Sequence, residues 1–128
     1  MPATMGTPHL PYPAPVEAYG NGGFRFGGGL SHRGSLLCFP DGIWAWPVAG
    51  VGDLTEAALS EAFVRVGQLD IFLLGSGADP WALPQGLRAR FHDLQISVDA
   101  MTTGAAVRTW NILLAEGRRV GAGLIAVD

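Results

Sequence analysis

The chain of 128 residues contains no lysine; all eight of its basic residues are arginine. That absence removes Schiff-base chemistry, a P-loop lysine and a lysine general base together. Cysteine is nearly absent as well. Cys38 stands alone, so no disulfide forms within the chain, and a reducing, cytoplasmic setting is expected. Charge is sparse, at 15% of residues, and a net charge of −3 supplies no positive field for nucleic acid or an anionic membrane surface. No apolar run approaches the ~20 residues that span a bilayer, and the N-terminus lacks the charged and apolar regions of a secretory leader, so no membrane insertion is expected.

The constellations of catalysis are missing too. His9, His32 and His92 show no metal-ligand spacing and none is tied by spacing to Ser76 or Cys38. Ser76 lies outside any G-x-S-x-G elbow, and the carboxylates are scattered. No catalytic residue, metal or cofactor is therefore assigned. Cys38 falls in the apolar string LLCF, where a small buried hydrophobe accounts for it.

What is present is apolar material: 48% of positions are hydrophobic, enough for one compact domain with a sizeable core. Five of the nine prolines fall before Val16, so residues 1–15 are expected to form a tail that runs extended over the surface or is disordered, with residues 16–128 as the single domain. From Val16 to Pro47 short strands alternate with turns: VEAY, a Gly20-Asn21-Gly22-Gly23 turn, FRF, a triple glycine, Ser35 to Phe39, a Pro40-Asp41-Gly42 turn, and Ile43 to Trp46. Turn chemistry of this kind predicts an antiparallel meander with Phe24, Phe26, Trp44 and Trp46 on its apolar faces.

Asp53-Leu54-Thr55-Glu56 resembles a capping box, opening a helix that buries Leu59, Ala62, Phe63 and Val66 and stops at Gly67. Asp70 to Leu74 is a continuous apolar run, the signature of a strand covered on both faces, and Gly75-Ser76-Gly77 ends it. Leu83, Leu87 and Phe91 recur every four residues on a helix begun by Pro84, and Leu94 to Val98 reads as another buried strand. The stretch Asp99 to Gly117 carries the clearest helix signal, with Ala106, Val107, Trp110, Leu113 and Leu114 on one face, Thr102 and Thr103 at the N-cap and Gly117 as the stop. Val120 to Val127 closes the chain as a glycine-interrupted strand. Helix and strand alternation predicts an α/β sandwich with right-handed crossovers, the meander adding strands or a small second layer.

Two strand-end loops open at one edge of such a sheet, where ligands bind if the strand order switches. Gly75, Ser76 and Gly77 form one; Thr102 and Thr103 form the other, with Arg108 and Asn111 further along the helix. Together they define a candidate crevice for an anion or a partner. A purely structural account competes: small residues suit a tight strand exit, threonine caps a helix, and Arg108 has Asp99 or Glu116 to pair with.

The strings YGNGGFRF, SHRGSLLCFPDGIWAWPV, DIFLLGSGADPWALP and DAMTTGAAVRTWNILLAEGRRVGAGLIAV, in this order over Val16 to Val127, resemble the small Mth-like domain family. That family includes a mitochondrial respiratory complex I assembly factor, an adipogenesis-associated protein and many bacterial members of unassigned function. The resemblance implies a three-layer α/β fold with a central mixed sheet, helices and an N-terminal antiparallel β-meander. Gly75, Ser76 and Gly77 match the family's strand-end turn, and Arg108, Asn111, Glu116, Gly117 and Arg118 match its last helix. It also implies a non-enzymatic accessory or assembly-type role, in which a partner polypeptide, of a respiratory complex for instance, docks on the sheet edge or the aromatic meander. With no Arg-rich amphipathic N-terminus, a bacterial cytoplasmic member is the expected fit. The alternatives are a small-anion or phosphate-binding module or a cryptic enzyme using the crevice, and a structural domain that forms a homodimer.

Overall fold

The structure, a computed structural model, describes residues 6–128. Three strands, β1 (Val16–Gly20), β2 (Gly23–Phe26) and β3 (Ser31–Arg33), form a small antiparallel sheet in chain order. Five more, β4 (Leu36–Phe39), β5 (Gly42–Ala45), β6 (Ile71–Gly75), β7 (Ser97–Met101) and β8 (Val120–Leu124), form a mixed sheet in the order β5-β4-β8-β6-β7. The helices are α1 (Ser60–Phe63), α2 (Gln85–Asp93) and α3 (Thr103–Ala115).

The last strand in sequence is the central one. β8 runs antiparallel to β4 and parallel to β6, and every one of its residues is buried. Its alternation sorts Val120, Ala122 and Leu124 to one face and Gly121 and Gly123 to the other. Aromatic rings occupy the space those glycines leave: a Cβ at Gly123 would lie 2.7 Å from the Trp46 ring, and one at Gly121 would lie 3.1 Å from both Phe39 and Phe72. The glycines that weaken this strand by propensity are what let three rings pack across it.

On the glycine face, Leu37, Phe39, Phe72 and Leu74 pack with Leu59 and Phe63 around α1 and with Leu87 and Phe91 of α2. On the other face, Leu36, Cys38, Leu73 and Ala122 pack with Ala106, Val107 and Trp110 of α3 and with Val16, Phe24 and Phe26 of the small sheet. The result is the three-layer α/β arrangement with a central mixed sheet. Cys38 is fully buried, as its apolar setting predicts.

The structure departs from the sequence reading in four places. The meander divides between the two sheets: β4 and β5 pair with each other and β4 joins β8, while β2 pairs with β1 on one side and β3 on the other. β3, the string SHR, has no apolar residue to announce it. The strand expected from Leu94 begins at Ser97 instead and is an edge strand with no fully buried residue, because Gln95, at φ 59°, turns the chain directly after α2.

The capping box is the fourth departure. The Asp53 carboxylate accepts from Ala49 N at 2.9 Å, and it is Thr55 Oγ1 that accepts from Ala58 N, at 3.2 Å. Bonds from i+3 back to i recur through this segment, as in Ala62 N to Leu59 O at 3.0 Å, so only α1 is regular helix. Leu59, Ala62 and Phe63 are buried, but Val66 is 50% exposed. Arg65 turns inward there, 3.8 Å above the Phe39 ring, and pairs with Asp41 and Glu61 at 3.2 and 3.1 Å.

Of the Pro-rich segment, residues 1–5 lie outside the described residues. The remainder is extended, but it belongs to the core: Leu10 and Ala14 are 5% and 7% exposed. Two indoles hold it, Trp44 Nε1 donating to Gly6 O at 3.1 Å and Trp110 Nε1 to Ala14 O at 3.0 Å.

Candidate functional site

β6 ends at a glycine for a steric reason. A Cβ at Gly75 would lie 3.1 Å from Thr103 Cα and 3.2 Å from Ala106 Cβ, so the first turn of α3 sits directly on the strand end. The loop that follows is knitted to that turn. Thr103, fully buried, accepts from Gly77 N at 2.9 Å through Oγ1 and donates from it to Ile125 O at 2.7 Å. Thr103 N donates to Gly77 O at 2.9 Å, and Ser76 N donates to Met101 O at 2.8 Å. Ser76 Oγ donates to Asp79 O at 2.7 Å and lies 3.1 Å from Met101 O. Gly77 takes φ +102°, a conformation that favours glycine.

Beside this loop lies a crevice of about 640 Å³. Ser76, Gly77, Thr102 and Arg108 line it, together with Tyr19, Gly104 and Asp128. Gly75 and Thr103 lie beneath it as its scaffold. Asn111 is elsewhere: its Oδ1 accepts from Val16 N at 2.8 Å and its Nδ2 donates to Val16 O at 2.9 Å, clamping β1 to α3.

Thr102 caps α3, its Oγ1 accepting from Ala105 N at 3.4 Å. Arg108 is exposed and, among the described residues, has no ion pair or hydrogen bond, with Asp99, with Glu116 or with any other group. Among the described residues it is the one cation on the crevice wall, one to two turns from the amide end of α3.

Tyr19 and Gly104 are lining residues that sequence reasoning missed. A Cβ at Gly104 would overlap the Tyr19 hydroxyl, so glycine alone lets β1 bring its tyrosine over the start of α3. No local pattern announces this contact, because it depends on how the small sheet docks.

The Ser76 hydroxyl points its hydrogen at backbone carbonyls, and among the described residues no histidine lines the crevice. Burial pushes the Cys38 thiol far above its ordinary pKa. His9 and His32 meet edge to face at 4.9 Å outside the crevice, and His32 is held below its ordinary value chiefly by burial and then by His9. Among the described residues, no three His, Cys, Asp or Glu side chains gather where they would hold a metal ion, and no helix is long and apolar enough to cross a membrane.

Known proteins resemble the chain over this whole domain. An uncharacterized protein of Rhodobacter capsulatus is 42% identical over 111 residues, which cover 87% of this chain and 83% of that one. NADH dehydrogenase (ubiquinone) 1 alpha subcomplex assembly factor 3 of Drosophila melanogaster is 30% identical over 112 residues, 86% of this chain, but the match spans only 57% of that protein's length. Among solved structures, a Bartonella henselae protein described as an outer membrane protein superposes with a TM-score of 0.88 at 46% identity, covering 94% of this chain and all of that one. A Mth938-like domain of Bordetella pertussis gives 0.75 at 26% identity, covering 98% and 89% of the two chains. The family model described as a protein of unknown function, DUF498/DUF598, matches residues 16–125, and the chain belongs to that family.

Proposed function

We propose that this protein is a non-enzymatic accessory protein of the bacterial cytoplasm that binds a partner polypeptide during assembly of an NADH dehydrogenase-type respiratory complex. One observation carries the reading: the match to the Drosophila assembly factor, at 30% identity, runs through nearly the whole α/β domain. The crevice supports it from the other side, since the Ser76 hydroxyl is held by the Asp79 carbonyl and the Gly77 amide by Thr103 rather than being poised for a reaction. Of the two surfaces a partner was expected to use, the meander offers little, since Phe24, Phe26, Trp44 and Trp46 are all under 8% exposed and Tyr19 alone of its aromatics is open, at 44%. These burials favour a sheet edge. Deleting the gene in its native host and resolving membrane complexes on native gels tests the reading. Subassemblies should accumulate, and NADH oxidation by membranes should fall; complexes assembled at the normal level and rate would overturn it.

A second reading has its own support in the unpaired guanidinium of Arg108. On that reading the crevice holds a small anion such as a phosphate. The Asp128 carboxylate on the same wall and the engaged amides of Ser76 and Gly77 place it second. Thermal unfolding with inorganic phosphate, pyrophosphate and citrate separates the two: a rise in Tm that Arg108→Ala abolishes supports the anion site, and identical profiles for both proteins exclude it.

A further inference from the structure

The five-stranded sheet has two edges, and among the described residues only one is covered. At β5, Ile43 N donates to Leu10 O at 2.9 Å, and His9 N and Leu10 N donate to Ile43 O at 2.8 and 3.1 Å, so an extended segment of this same chain seals the edge. At the far side β7 pairs with β6 alone among the described residues. Ser97 N donates to Asp70 O, and Met101 O accepts from Ser76 N, which turns the backbone groups of Ser97, Asp99 and Met101 toward β6. In a parallel ladder the intervening residues face away, so Val98 and Ala100 present their N–H and C=O groups to the open edge.

The side chains around that edge are specific. Val98 and Ala100 lie partly buried against the helical face of the sheet, next to the core that includes α2. Asp99 points to the α3 side and is exposed. On that side Thr109 Oγ1 contacts Met101 Sδ at 3.8 Å, and Ile112, three residues along the same flank of α3, is 58% exposed.

We propose that β7 is the docking edge for the partner polypeptide, which adds as a sixth strand bearing a basic residue opposite Asp99 between two apolar residues beside Val98 and Ala100. Strand addition gives affinity through main-chain bonds and specificity through alternate side chains. Charge selects the occupant. A second copy pairing along the full length of β7 by two-fold symmetry centres on Asp99 and sets two carboxylates opposite each other, which is destabilising; shifted registers shorten an overlap of only five residues. A basic residue in an apolar–basic–apolar segment turns the same carboxylate into an attraction. Asp99 therefore guards the edge against self-association while admitting a complementary strand. The assignment rests on the partner-binding reading above.

The test uses the full chain and two short capped peptides, one with the core Thr-Val-Arg-Val-Thr and one with glutamate at its centre, followed through backbone amide resonances by NMR. The arginine peptide should shift Val98 and Ala100 and bind more tightly than the glutamate peptide. Ala100→Pro, which removes an outward donor and none of the bonds to β6, should weaken binding about tenfold. Asp99→Arg should invert the preference, and because its site is exposed it carries the test if Ala100→Pro fails to fold. The proposal falls if neither peptide moves β7, if both bind alike, or if Asp99→Arg leaves the preference unchanged. It falls equally if the chain alone dimerises and Ala100→Pro makes it monomeric. In the deletion strain, full restoration of complex assembly by Asp99→Arg removes the edge assignment and leaves the accessory reading standing. A deletion without phenotype removes the accessory reading, and the peptide result then judges the edge by itself.

Discussion

The two faces of β8 are packed by opposite devices. On the Gly121 and Gly123 face, order comes from bulk: the rings of Phe39, Phe72 and Trp46 fill space that no side chain of the strand occupies. Phe72 stacks in turn on Phe39 and Phe91 with centroids 6.2 and 5.6 Å apart. On the other face, order comes from polar ties between distant segments. Trp110, with no exposed surface, holds Ala14, and Asn111 holds Val16, each across at least 95 positions of sequence. The ring-packed face is therefore sensitive to added volume, and the tied face to lost hydrogen bonds. Both surround one strand, and this strand's C-terminal neighbours, Ile125 to Asp128, line the crevice.

The largest expected effect breaks the tied face. Trp110→Ala removes a fully buried indole and the donor to Ala14 O, and should destabilise the protein by about 3–5 kcal/mol in urea unfolding. Trp110→Phe, which keeps most of the volume and loses the donor, should still cost about 1–3 kcal/mol, because the buried Ala14 carbonyl is left without its partner. A Trp110→Phe variant as stable as wild type would show that volume alone matters there and would cancel the contrast between the faces.

Gly123→Ala attacks the ring-packed face by addition. Its methyl would sit 2.7 Å from Trp46, whose ring is fixed by the bond from Nε1 to Ala58 O at 3.0 Å, and overpacking of this kind costs about 1–3 kcal/mol. Trp46→Phe makes room at the same point, so the double variant should lose less than the sum of the two single losses. Additive losses would place the strain elsewhere.

These contacts also explain which parts of the fold were legible in the sequence. α3 was readable because its signals are local: the Thr102 cap, the Ala106, Val107 and Trp110 stripe, and Gly117 at φ 73° all act within a turn or two. Leu87 and Phe91 were readable on α2 for the same reason, whereas Leu83, expected on the same helix, is buried just ahead of its Pro84 cap. The division of the meander was not, because β4 leaves the first three strands to pair with β8, more than 80 positions away. The apparent capping box misled because Asp53 and Thr55 each had a competing backbone amide within reach.

The crevice divides in the same way. Ser76, Gly77, Thr102 and Arg108 come together because strand-end loops of neighbouring parallel strands must share an edge. Tyr19 arrives from a different sheet and Asn111 leaves for that sheet, and neither event has a local signature. Docking of the small sheet on α3 is the step that sequence spacing does not encode.

Asn111→Ala sharpens the contrast by testing that docking directly. It removes two hydrogen bonds to the Val16 backbone, together worth about 2 kcal/mol. The loss should be localised, with amide protons of β1 and β2 exchanging faster while those of β6 and β8 keep their protection. Uniform loss of protection would mean that the small sheet and the central sheet open as one unit.

The smallest effect lies at the far end of β6 and β8, where neither device operates. Arg119 Nη2 meets Asp70 Oδ1 at 2.6 Å on the surface, and Asp70 N donates to Arg119 O at 2.9 Å, so the pair brackets the start of both strands. The Arg119 guanidinium, by hydrogen bonding to it, holds the Asp70 carboxyl below its ordinary value. A carboxyl whose pKa is lower folded than unfolded stabilises the fold above the unfolded value, and that contribution disappears as pH falls through the folded value. Asp70→Asn should therefore lower Tm slightly near neutral pH, and the difference from wild type should close as the solution is acidified below the usual carboxylate range. Exposure and salt screening keep the effect small, and added salt should shrink it further at neutral pH. A Tm difference that stays constant from neutral to acid pH would show that the ionised carboxylate of Asp70 is not its source, since the Asp70 backbone bonds survive in the variant.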